Sequence, residues 1–116
     1  VADLLIEEYI VQYLSQQLEQ PVSGSVPHPM PDSFVTVERT GGRNENRIRS
    51  ATLAVQCWAQ SMDAAANLCE AVTTAMEAAT ALTEISRCSL NSSYNFTDTS
   101  TKRYRYQAVF DLVYFL

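Results

Sequence analysis

The spacing of apolar positions divides the chain into alternating helical and extended segments. Ile6, Ile10, Leu14 and Leu18 line one helix face with Tyr13 beside them, and Glu7 and Glu8 sit early, where the helix dipole favours negative charge. With Asp3 as the N-cap, this pattern predicts a helix over 3–18. Four prolines between Pro21 and Pro31 then remove backbone donors and predict a surface connector over 21–31. From Ser33 the β-branched run SFVTVERT, a reversal at Gly41-Gly42 followed by polar residues, and a longer apolar run to Ala59 predict a β-hairpin over 33–59.

Period-two alternation separates the faces of the second hairpin strand. Ala51, Leu53, Val55, Cys57 and Ala59 share the face expected to be core, whereas Thr52, Ala54, Gln56 and Trp58 share the other. Trp58 is therefore expected to be wet in a small monomer with helices on one side, which points to a partner. Ser61 is placed to cap a helix over 62–80, whose inward stripe is Ala65, Leu68, Cys69, Val72, Met76 and Ala79. A short strand over 84–90, a polar loop and a terminal strand over 103–116 complete the pattern. In that last strand Tyr106, Ala108, Phe110, Leu112 and Tyr114 form one face, while Val109, Val113 and Phe115 make the second apolar as well. A strand apolar on both faces is expected to be covered on both. Two helices on one side leave the second cover to another subunit.

Composition narrows the class. A chain of 116 residues with 47% hydrophobic and 18% charged residues suits one compact domain and excludes a disordered acidic tail. Cys57, Cys69 and Cys88 are an odd number at irregular spacing, so they are expected to be reduced thiols instead of a disulfide framework. No stretch approaches the ~18–20 consecutive apolar residues of a membrane helix. The opening VADLLIEEYIVQYL carries acids where a signal peptide carries bases, so the expectation is a soluble, unexported protein. The net charge of -5 is unevenly distributed: residues 1–38 hold six acids and no Lys or Arg, whereas Arg39, Arg43, Arg47 and Arg49 fall within eleven positions. Segregated patches of opposite sign suit contacts between copies, where complementarity selects partner and register.

Candidate chemistry is sparse. The single histidine, His28, lies between Pro27 and Pro29 in the connector and reads as an exposed turn residue instead of a general base. The cysteines form no Cys-x-x-Cys pair, and Cys57 and Cys69 fall on core faces, so no metal site is expected. Gly41-Gly42 fits no phosphate-binding loop and reads as a turn. Asn91-Ser92-Ser93 and Asn95-Phe96-Thr97 match the glycosylation pattern, which is frequent by chance and is discounted in an unexported chain. The arginine-rich hairpin tip lacks interleaved aromatics for base stacking, and an acidic chain repels nucleic acid at long range, so an ion-paired contact between subunits is favoured over phosphate binding. No cofactor is expected.

The order of these segments, read with Phe34-Val35-Thr36-Val37-Glu38-Arg39-Thr40-Gly41-Gly42, Leu53-Ala54-Val55-Gln56-Cys57-Trp58-Ala59, Asp63-Ala64-Ala65, Tyr94-Asn95-Phe96-Thr97-Asp98 and Arg105-Tyr106-Gln107, resembles the tail terminator, or tail-to-head joining, proteins of long-tailed bacteriophages and prophages. The similarity runs over most of the chain and rests on order and spacing. Relatives often read Phe-Pro-Asp where this chain has Phe96-Thr97-Asp98, which leaves that loop less rigid.

The resemblance implies a single α+β domain, with an antiparallel or mixed four-stranded sheet, a long basic β-hairpin and two helices packed on one face. It further implies a non-enzymatic virion protein at the tail-head junction, assembled in the host cytoplasm. Its partners would be further copies in a hexameric ring, the tail tube protein and the head-connector proteins. DNA would pass through the lumen without specific binding, and no membrane is involved. Arg39, Arg43, Arg47 and Arg49 are expected at an interface or the lumen, and Trp58, Phe110 and Phe115 in packing or subunit contact. A head-tail connector adaptor or other tail-like particle component is the first alternative. A small-molecule-binding α+β module using the sheet face around Trp58 is the second.

Overall fold

The computed structural model describes residues 5–45, 48–95 and 103–115, with the side chains of residues 43–45 and 48 left aside. Helix α1 (Ile6–Gln17) leads into a short strand β1 (Val22–Ser23), followed by β2 (Phe34–Glu45), β3 (Ile48–Ala59), α2 (Met62–Glu77), a 3-10 turn (Ala78–Ala81), β4 (Ile85–Asn95) and β5 (Tyr104–Tyr114). The strands form one mixed sheet in the order β1-β2-β3-β5-β4. The architecture is α+β in one compact domain, as expected, but with five strands instead of four.

The additional strand lies inside the proline connector. Val22 and Ser23 run parallel to Val35 and Thr36, and the Val35 N–H donates to the Pro21 carbonyl at 2.8 Å. Proline has no backbone N–H but keeps its acceptor, so Pro21 can serve a sheet edge. The connector is tied down further by Arg103, whose Nη1 donates to the carbonyl oxygens of Pro31 and Asp32 at 2.7 and 3.0 Å.

Gly41-Gly42 is a second correction, because the pair is not the reversal. Both glycines lie within β2, opposite Thr52 and Ala51, just after a register shift between Arg39 and Gly41. The local need for glycine is steric: Gly42 has φ +138°, and a Cβ there would run into the Ser50 carbonyl oxygen and Ala51 Cα. The strand pairing continues to Glu45 and Ile48, and the tip at residues 46–47 lies outside the described residues.

A third correction concerns β4, which extends to Asn95 instead of ending near residue 90. The polar run Ser92-Ser93-Tyr94-Asn95 stays extended because β5 supplies partners from Val109 to Tyr106. Alternation alone could not show this, since the segment buries little.

Both helices pack on one sheet face. Ile6, Ile10 and Leu14 of α1 join Ala65, Leu68, Cys69, Val72 and Met76 of α2, with Ala79, against Val35, Val37, Leu53, Val55, Cys57, Ala108, Phe110 and Leu112. Small residues on the α2 stripe admit close approach to the sheet. Ser61 caps α2 by accepting the Ala64 N–H at 3.2 Å. Leu5 occupies the N-cap of α1 without a side-chain bond, and Asp3 lies outside the described residues. The Tyr13 hydroxyl donates to the Ala75 carbonyl at 2.7 Å and links the two helices.

Candidate interaction surface

The second sheet face carries neither helix. Its described side chains come from alternate positions of four strands: Phe34, Thr36 and Glu38 on β2, Thr52 to Trp58 on β3, Arg105 to Val113 on β5, and Arg87 to Tyr94 on β4.

Trp58, expected to be wet on this face, is instead only 4% exposed. The Phe34 ring stacks on it with centroids 5.2 Å apart and planes 12° from parallel. The Arg105 guanidinium lies 4.6 Å from the centre of the Trp58 ring, and Trp58 Nε1–H donates to Thr36 Oγ1 at 3.3 Å. Cross-strand neighbours and a side chain folded along the surface thus supply the cover that was expected from a partner.

Beside this cluster the face is knitted by polar side chains. Gln56 Nε2 donates to Gln107 Oε1 at 2.9 Å, and Gln107 Nε2 donates to the Tyr94 hydroxyl. Nearer the hairpin tip, Asp111 accepts from Thr52 Oγ1 at 2.9 Å through one carboxylate oxygen and from Asn91 Nδ2 at 2.9 Å through the other. A shallow cavity of about 480 Å³ opens there, lined by Gly42, Ser50, Thr52, Arg87, Ser89 and Asp111 among others. It lies away from Trp58.

The expected site residues separate physically. Phe110 is wholly buried in the helix-covered core and Trp58 is nearly so, so both act in packing within the chain and neither presents a surface. Phe115 is 58% exposed, beyond the half-buried Val109 and Val113 of the open face. Arg39 is exposed, with Nε donating to the Gly41 carbonyl at 3.1 Å and Nη2 to the Ser50 carbonyl at 3.4 Å. Arg49 is exposed. The side chain of Arg43 and the whole of Arg47 lie outside the described residues. Sequence reading named Tyr94, Arg105 and Gln107 only within the motifs that carry the resemblance and missed Asp111, and it placed none of the four on this face, where their signal is the presence of long polar side chains on facing strand positions.

Among the described residues the thiols contribute the most strongly perturbed pair of groups. Cys57 and Cys69 are buried between β3 and α2. Their mutual hydrogen bond holds Cys69 down to about 6, against the effect of burial and with help from Ser93 and Thr73. The same hydrogen bond, with burial, pushes Cys57 well above its ordinary value. Cys88 is pushed up to about 11, chiefly by burial. Among the described residues no group of three or more His, Cys, Asp or Glu is placed to hold a metal, and no helix is long and apolar enough to cross a membrane.

These features define a single α+β domain whose second sheet face, among the described residues, is packed and hydrogen-bonded by its own side chains and carries neither helix. A family model described as Tail completion protein gp17 matches residues 10–114, and the chain belongs to that family of phage tail structural proteins. A comparison with curated proteins gave no match.

Proposed function

We propose that copies of this protein form a ring that caps the phage tail tube, ends its polymerisation and joins the tail to the head. The observation that carries this reading is the second face of β5, which among the described residues carries no helix and where Val109 and Val113 are half-buried and Phe115 is exposed. A head-to-tail contact between unlike patches of identical subunits closes into a ring when its rotation permits, and a hexamer is the size expected for this role. One ring face then matches the last ring of tube subunits, and the other offers them no equivalent site.

The open face presents Glu38 and Asp111 alongside Arg87 and Arg105. Such a mixed, internally hydrogen-bonded surface suits a channel that passes DNA without gripping its phosphates. Arg39, Arg43, Arg47 and Arg49 are assigned to the contact between subunits or to the lumen.

Sedimentation across concentration, with electron microscopy of assembled tails, tests the ring. A 12.9 kDa chain should give particles of about 75–80 kDa, the mass of six subunits in closed symmetry. A protein that is monomeric in solution and absent from the tip of purified tails overturns the reading. Charge reversal at Arg43 and Arg47 should abolish ring formation, and rings that survive it remove these residues from the contact.

A further inference from the structure

The sheet ends in two unlike edges. Among the described residues β1 pairs only with Val35 and Thr36, so β2 has no strand beside it from Val37 to Glu45. At the other side, among the described residues, β4 (Ile85–Asn95) is the outer strand of the sheet. Because the Val35 N–H points outward to the Pro21 carbonyl, Val37 and Arg39, two and four residues further along, turn their backbone donors to that same outer side. Monomeric proteins usually guard edges of this length with proline or several charges. Here β4 has no proline and Arg87 as its one charged residue, and its register shifts between Ile85 and Arg87 and between Leu90 and Ser92 leave a regular stretch from Arg87 to Leu90 between them.

Strand direction makes the two edges complementary. β2 is antiparallel to β3, β3 to β5 and β5 to β4, so β2 and β4 run in opposite directions. The β4 edge of one copy set against the β2 edge of another therefore forms an antiparallel pair, continuing the pattern within the sheet. This contact joins unlike edges and leaves one of each free, so it repeats identically from copy to copy and can close into a ring. Pairing like with like would relate the two copies by a two-fold axis and so could not repeat one identical contact around a ring. The register shift between Arg39 and Gly41 bends the β2 edge, so successive sheets meet at an angle.

We propose that the partner of these edges is a second copy of this chain, with β2 residues Val37–Glu45 of one copy hydrogen-bonded antiparallel to β4 residues Ile85–Ser93 of the next. The proposal rests on the ring reading and names the surface that builds it. All helices then lie on one side of the assembly and all uncovered sheet faces on the other.

Three measurements on the assembled protein test it. Amide hydrogen exchange at Val37 and Arg39 should slow by about tenfold or more on passing from monomer to ring. A photoreactive benzophenone side chain at exposed Ser86, with isotopically light and heavy copies mixed, should give inter-chain adducts that map to β2. Arg39→Pro removes an outward N–H while keeping the β2–β3 bonds and should abolish rings, whereas Arg39→Lys, which keeps both the N–H and the positive charge, should retain them. Circular dichroism checks that both variants fold, and if Arg39→Pro does not, exchange and adducts in the otherwise unaltered protein decide. Rings that form with fast-exchanging edges and adducts elsewhere overturn the edge assignment and leave the ring intact. If the protein forms no ring even on purified tail tubes, both readings fall.

Discussion

The Arg105 guanidinium lies 4.6 Å from the centre of the Trp58 ring, and so shields an aromatic that no helix covers. The two residues are paired across β3 and β5, which makes the shield a product of strand register. Removing it should show in both the spectrum and the stability.

Trp58 is the sole tryptophan, so its fluorescence reports this cluster alone. Arg105→Ala should shift the emission to longer wavelength as water reaches the ring, and should cost about 1 kcal/mol from lost cation-π attraction and lost stem packing. Denaturant unfolding followed by fluorescence measures both. An unshifted emission maximum would mean that Phe34 and Thr36 suffice to keep the ring dry.

Gly42 should resist substitution more than an exposed strand glycine ordinarily does. Its φ of +138° strains any L side chain, and an added Cβ meets the backbone of Ser50 and Ala51 as well as the Arg39 guanidinium. Gly42→Ala should therefore destabilise by about 1–3 kcal/mol, whereas Gly41→Ala, with Thr52 side-chain atoms no nearer than 3.9 Å, should cost less. Thermal midpoints of the two variants, compared side by side, provide the check.

The thiols should give stability a maximum in pH. Cys69 has a folded value of about 6 against an ordinary 9.0, so the folded state releases its proton first and this contribution grows from pH 6 to pH 9. It is lost as the pH falls through 6. Cys57 and Cys88 are shifted upward from 9.0, so above pH 9 the unfolded chain ionises while the folded chain keeps its protons, and stability declines. Cys57→Ala removes the largest cause of the Cys69 shift and should flatten the rise. Denaturation midpoints at pH 6.5 and 8.5 decide this, and an unchanged difference between the two pH values would exclude the Cys57 hydrogen bond as its source.

Local pattern was enough wherever one side of an element meets the core. The six-residue stripe from Ala65 in α2 to Ala79 in the 3-10 turn is buried as its spacing requires, and the Ser61 cap forms because a hydroxyl precedes an unpaired helix N-terminus. Long-range pairing was not legible. Two residues of β1 are a strand only because β2 lies alongside, and the polar end of β4 is held by β5. Trp58 illustrates the same limit at the candidate surface. Alternation correctly set it opposite Cys57, but its cover comes from Phe34 and Arg105 on neighbouring strands, and no local signal encodes that.

The placement of β5 between β3 and β4 also sets the order in which the molecule can be completed. During synthesis β4 emerges before the strand that will hold it, and the described sheet gives it no other neighbour. Until β5 arrives, β4 is an orphan segment and the underside of α2 is only partly filled. Inserting β5 between β3 and β4 therefore closes the core and creates the second outer edge in one step.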